Sequence, residues 1–110
     1  MLSRKYRATR TEIERVIKSG ITISGDFFYA KVSKDEKEKP GFAIIISKKI
    51  EKTSSGRHLL KRKISSVIEK KILKAKAKKI AVFFPKKIER KISYKKIDRD
   101  VSFILERAGF

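Results

Sequence analysis

The chain has 110 residues, with 31 Lys and Arg against 12 Asp and Glu, a formal charge of +19 and 40% apolar content. That size suits a single domain over residues 1–110 with one modest core, and the apolar share excludes wholesale disorder. The absence of cysteine excludes disulfides, thiolate metal sites and cysteine nucleophiles, and no run approaches the roughly 18 apolar residues of a membrane span. A charge excess this large opposes folding by self-repulsion unless a polyanion neutralises it, so nucleic acid is the leading partner class. The start "MLSRKYRATRTE" is basic and leads into no continuous apolar segment, which sets the expectation of a cytoplasmic protein.

In chain order, Thr9 followed by Glu12 has capping-box spacing, Ile13, Val16 and Ile17 share one helical face, and Gly20 suits the C-terminal cap. A short first helix is predicted. After a possible strand at Ile21 to Ile23 and a Ser-Gly-Asp turn signal, the period becomes two: Phe28, Ala30 and Val32 on one side, Phe27, Tyr29 and Lys31 on the other. The charged "SKDEKEKPG" reads as a loop and "FAIIIS" as a buried strand, with Phe42, Ile44 and Ile46 toward the core and Ala43, Ile45 and Ser47 toward the opposite face. From about Ser55, Leu60, Ile64, Val67, Ile68 and Ile72 gather on one side of a long helix. "KKIAVFFP" is predicted as a strand ended by proline, and Ser93 caps a last helix carrying Ile97, Val101, Ile104 and Leu105. The expected fold is α+β, a two-layer α/β sandwich in α-β-β-β-α-β-α order.

Two patterns bear on nucleic acid. Phe27, Tyr29 and Lys31 form an aromatic, aromatic, basic row that suits a single strand, since any base can stack on a ring while a cation meets phosphate; the same rings could equally cover a second apolar layer beneath a helix. In "SKKIEKTSSGRHLLKRKI", Lys48 and Lys49 end a strand, and Arg57, His58, Lys61, Arg62 and Lys63 occupy the first turns of the long helix. Cations there oppose the helix dipole, which favours a phosphate ligand over stability as the reason for them. The lysines of "KKILKAKAKK", by contrast, sit where the dipole wants them. His58 is the only histidine and lacks the neighbours of a triad or zinc site. Asp98 and Asp100 of "DRD" are read as surface charge, and no catalytic or metal-binding set emerges from the residues.

The same stretch resembles the bacterial ribonuclease P protein component, marked by a strand ending Ser-Lys-Lys, a short loop and a helix beginning Arg-Asn-x-x-Lys-Arg-x-x-Arg. Ser47, Lys48 and Lys49 fit the first part, and Arg57, Lys61 and Arg62 the second. The likeness extends over nearly the whole chain, through the first helix with Gly20, the two-faced strand, the charged loop, a parallel strand at 79–84 and the helix opening "SYKKI". His58 replaces the family asparagine, Ser65 the later arginine, and Ile13 and Ile17 the aromatics common on the first helix; the loop before Arg57 is one residue longer.

The resemblance implies a left-handed βαβ crossover around the long helix, as in the second domain of ribosomal protein S5, and a protein subunit of the tRNA 5′-maturation endoribonuclease. It further implies that Lys48, Lys49, Arg57, His58, Lys61 and Arg62 bind the catalytic ribonuclease P RNA. A cleft of Ile13, Ile17, Phe27, Tyr29, Lys31, Ile45 and Ser47 would hold the 5′ leader of precursor tRNA. Hydrolysis would then belong to Mg2+ ions bound by the RNA, with no cofactor on the protein itself. The alternative is a ribosomal or general RNA-binding protein without nuclease association, since fold alone does not fix function.

Overall fold

Thr9 sets the start of the first helix by a reciprocal exchange: its hydroxyl accepts the Glu12 amide at 3.2 Å, and the Glu12 carboxylate accepts the Thr9 amide at 2.7 Å. The computed structural model describes residues 6–34, 37, 39–72, 78–86 and 92–110. Its elements are α1 (Arg10–Ser19), β1 (Ile21–Ser24), β2 (Phe28–Val32), β3 (Gly41–Ile44), α2 (Ser54–Ile72), β4 (Ile80–Pro85) and α3 (Tyr94–Ala108). This is the order expected from the sequence, with the extra strand at Ile21 present. Loop residues 35, 36 and 38, and the lysine-rich stretch 73–77, lie outside the described residues.

The sheet runs β1-β2-β4-β3. β2 pairs antiparallel with β1 and with β4, whereas β3 and β4 are parallel and joined through α2. β4 is therefore an inner strand, and both of its faces are covered. Ala81 and Phe83 join Phe28, Ala30, Val32, Phe42 and Ile44 against α2 and α3, while Ile80 and Val82 meet Val16 of α1. That two-sided burial explains why "IAVFFP" is apolar without alternation. The sheet with α2 and α3 forms the sandwich, and α1 covers part of the opposite face.

α3 carries a clamp at Asp100, an acid whose sequence context suggests only surface charge. Asp100 is buried, at 5% exposure, and its carboxylate accepts the amides of Asp26 at 2.7 Å, Phe27 at 3.1 Å and Phe28 at 2.8 Å. Only Asp98 behaves as surface charge, pairing with Lys71 at 2.8 Å. Positions two apart on a helix diverge by about 200°, so one acid faces out and the other reaches the β1–β2 turn. A Cβ on Gly25 would lie 2.4 Å from the Asp100 Oδ1, which is why the turn needs glycine there. Gly109, at φ 88°, ends α3 in the left-handed conformation, and Lys79 Nζ donates to the Ala108 carbonyl at 3.0 Å, a cation at the negative helix pole.

Candidate nucleic-acid interface

The strand expected to reach Ser47 leaves the ladder earlier. β3 ends at Ile44, the Ile45 amide still donates to the Phe83 carbonyl at 3.0 Å, and residues 48–50 form a turn. The Ser47 carbonyl accepts the amides of Ile50 and Glu51 at 3.1 and 3.2 Å, so Ser47, Lys48 and Lys49 sit on a tight bend with all three exposed. The Glu51 carboxylate accepts the Thr53 amide and hydroxyl, and the Thr53 hydroxyl in turn accepts the Gly56 amide at 3.0 Å. A Cβ on Gly56 would come within 2.6 Å of both the Glu51 carboxyl carbon and Thr53 Oγ1, so glycine in this first turn lets the loop lie against the helix.

Arg57 completes that brace. Its guanidinium donates to the carbonyls of Glu51 at 3.0 Å and Lys52 at 2.9 Å, and to Ser54 Oγ at 3.3 Å. The side chain is half-buried and folded onto its own loop, unlike His58, Lys61 and Arg62, which are exposed on the next turns. Lys63 turns away to donate to the Ile92 carbonyl at 2.8 Å and lies 5.3 Å from the Tyr94 ring centre. No acid stands in the first turn of α2. The Glu51 carboxylate approaches this helix start from the loop, while the cations Lys48, Lys49, Lys61 and Arg62 remain exposed around it.

The second surface is the sheet face that α1 leaves open. Register places Thr22, Lys31, Val82 and Ala43 in one row across the four strands, and Ser24, Tyr29 and Phe84 in the next. Tyr29 and Phe84 stack with ring centres 4.9 Å apart and planes 10° from parallel. Phe84 was not singled out by its sequence, although the alternation of β4 puts it beside Val82; its meeting with Tyr29 depends on long-range register. Ile13 packs against the smaller core under α1, Ile17 one turn on is 42% exposed on the same flank, and Ile45 is 37% exposed at the end of β3.

Phe27 does not join this row. It precedes β2, its ring packs on the larger core at the α3 side, and Lys96 Nζ lies 5.9 Å from its centre. The Asp100 clamp turns the backbone here, so strict alternation from Tyr29 back to Phe27 fails.

A groove of about 270 Å³ links the two surfaces. Arg7, Ala8 and Ile13 form one wall, Phe42, Ala43, Ile44 and Ile45 the floor, and Lys61 and Ser65 of α2 the other wall. The segment before α1 is pinned along β3 by the Ala8 amide, which donates to the Phe42 carbonyl at 3.0 Å. Ser65, where the resemblance leads one to expect arginine, is 2% exposed in this wall. Among the described residues, no group of three or more His, Asp or Glu could hold a metal ion, and no helix is long and apolar enough to cross a membrane.

The family model described as Ribonuclease P matches residues 2–109. The chain belongs to the ribonuclease P protein family. It is accordingly a protein subunit of the ribonuclease P holoenzyme, the endoribonuclease of tRNA 5′ processing, and its partner is RNA. Similar solved structures include the RNase P protein of Staphylococcus aureus, with a TM-score of 0.77 at 16% identity over 96% of each chain. The RNase P protein of Thermotoga maritima gives 0.80 at 16% identity, covering 94% of this chain and 97% of that one. At such identities the superpositions bear on the fold alone. No curated protein sequence matches.

Proposed function

We propose that this subunit, acting as one domain over residues 1–110 in the cytoplasm, works through two surfaces with different partners. The bend and helix start grip the catalytic RNA, with Lys48, Lys49, His58, Lys61 and Arg62 toward phosphate and Arg57 holding the loop that presents them. The open sheet face takes the 5′ leader of precursor tRNA, with Tyr29 and Phe84 as a stacking platform, Lys31 beside it, and Ile13, Ile17, Ile45 and Ser47 at the margins. In this reading Mg2+ held by the RNA supplies the hydrolysis, while the protein binds, orients and screens charge.

The observation that carries the proposal is the shared groove, in which Lys61 of the basic helix faces Ile13 of the cleft across the floor of β3. Catalytic RNA on α2 and a leader on the sheet would lie side by side. The test is precursor-tRNA cleavage by ribonuclease P RNA at low magnesium. Wild-type protein should restore cleavage, Lys61→Ala should weaken holoenzyme assembly, and Tyr29→Ala should weaken only substrates that carry a leader. In a parallel binding measurement on the holoenzyme, equal loss of affinity for mature tRNA and for leader-bearing precursor in Tyr29→Ala would remove the leader assignment.

A further inference from the structure

β1 is an outer strand of the sheet, and among the described residues nothing pairs with its free side. The other edge differs, because β3 is bridged by Arg7. A groove of about 340 Å³ runs along β1, lined by Ile21, Thr22, Ile23, Ser24, Phe103 and Arg107. Phe103 is 42% exposed, and the Arg107 guanidinium lies 5.2 Å from its ring centre. Arg99, Phe103 and Arg107 recur every four residues, so α3 presents a cation, a ring and a cation on one flank. Burying a phenylalanine there would serve the core; leaving it half-open between two arginines serves a ligand with a flat face and negative charge.

We infer that this groove is a stacking subsite for an unpaired nucleotide of the precursor leader, lying upstream of those on the Tyr29–Phe84 platform. The inference rests on the leader occupying the cleft. Continuity supports it: Ser24 lies directly opposite Tyr29 and Thr22 opposite Lys31, so one strand spacing of about 4.8 Å separates the platform from the edge. Thr22 and Ser24 face the cleft, Ile21 and Ile23 face α3, and the groove takes lining from both, wrapping around the edge. A chain leaving Tyr29 over β1 meets Phe103 next. Charge selects among occupants, since a second copy would bring another +19, whereas RNA neutralises Arg99 and Arg107.

The test measures binding of precursor tRNAs with graded leader lengths to assembled holoenzyme. For leaders long enough to pass the edge, Phe103→Leu, which keeps an apolar side chain but no ring, should weaken binding at least about fivefold, the lower bound for one stacked base. Phe103→Trp should restore it, and leaders ending in the cleft should bind all three proteins alike. Arg107→Gln should weaken the long-leader complexes and lower their salt dependence. Full length dependence in Phe103→Leu overturns the subsite, as does a loss equally large for leaderless tRNA or for catalytic RNA alone. Length dependence that survives Tyr29→Ala as well would fault the cleft itself.

Discussion

Asp100 allows the sharpest test of how the fold holds the sheet face that carries Tyr29 and Phe84. Replacing it with alanine removes the acceptor of three amides at once. Hydrogen bonds to a charged group contribute about 1.5–3 kcal/mol when buried, which suits Phe28; Asp26 and Phe27 are part-buried, and water can replace some of their loss, leaving about 1 kcal/mol each. The sum is about 3–5 kcal/mol, a large fraction of the 5–15 kcal/mol typical of a domain. With a urea slope of about 1–3 kcal/mol/M, the unfolding midpoint should fall by roughly 1–5 M. Asp100→Asn keeps a single acceptor oxygen and sets its NH2 against one of the amides, so it should lose about 2 kcal/mol. Asp98→Ala is the control: its pair with Lys71 is exposed on the acid's side and should contribute under about 1 kcal/mol. A loss below about 1 kcal/mol in Asp100→Ala, or equal losses at the two acids, would refute the clamp.

Gly25→Ala should destabilise by about 1–3 kcal/mol in the same urea titration, because its Cβ collides with the Asp100 carboxylate, and in the double variant with Asp100→Ala the losses should sum to less than their parts. Lys61→Ala should lower the salt slope of catalytic-RNA binding by about one, the signature of one lost phosphate contact. Arg57→Ala should lower the thermal midpoint and weaken RNA binding with a smaller change in slope, since its guanidinium is engaged by loop carbonyls; filter binding at several salt concentrations separates the two. Phe84→Ala should weaken leader binding comparably to Tyr29→Ala, by about 1–3 kcal/mol, with the double variant losing less than the sum.

Periodicity located most elements because each has one dominant buried face. Leu60, Ile64, Val67, Ile68 and Ile72 are all buried on α2, and Phe28, Ala30 and Val32 on β2, as their spacing requires. The clustering of cations over residues 48–63 was legible because local charge does not depend on tertiary pairing, although Lys48 and Lys49 sit on a bend and not at a strand end. The errors lie where a distant partner decides. Asp100 resembles Asp98 until α3 is laid against the β1–β2 turn, Phe27 follows Tyr29 in alternation until that turn is clamped, and Phe84 gains its meaning from a strand more than fifty residues away. Arg57 was legible as a cation but not as a brace, because the fold-back of residues 47–53 is set by Ser47, Glu51, Thr53 and Gly56 together.

These distant pairings have a common result. Lys86 donates to the Ser24 hydroxyl and to the Gly25 carbonyl at 2.7 Å, so the β1–β2 turn is held from β4 as well as from α3. Tyr29 lies at the start of β2 and Phe84 near the end of β4, the two strand ends that these bonds tie together. Fixing the ends sets the stack before any ligand arrives, and a preformed platform avoids the ordering cost of two side chains, each about 0.5–1.5 kcal/mol on binding. The basic loop is prepared differently, by Arg57 and Glu51 within one short segment. One surface is therefore rigid through the core and the other through local bonds. Damage at Asp100 should impair leader binding and global stability together, whereas damage at Arg57 should impair catalytic-RNA binding while sparing most of the fold.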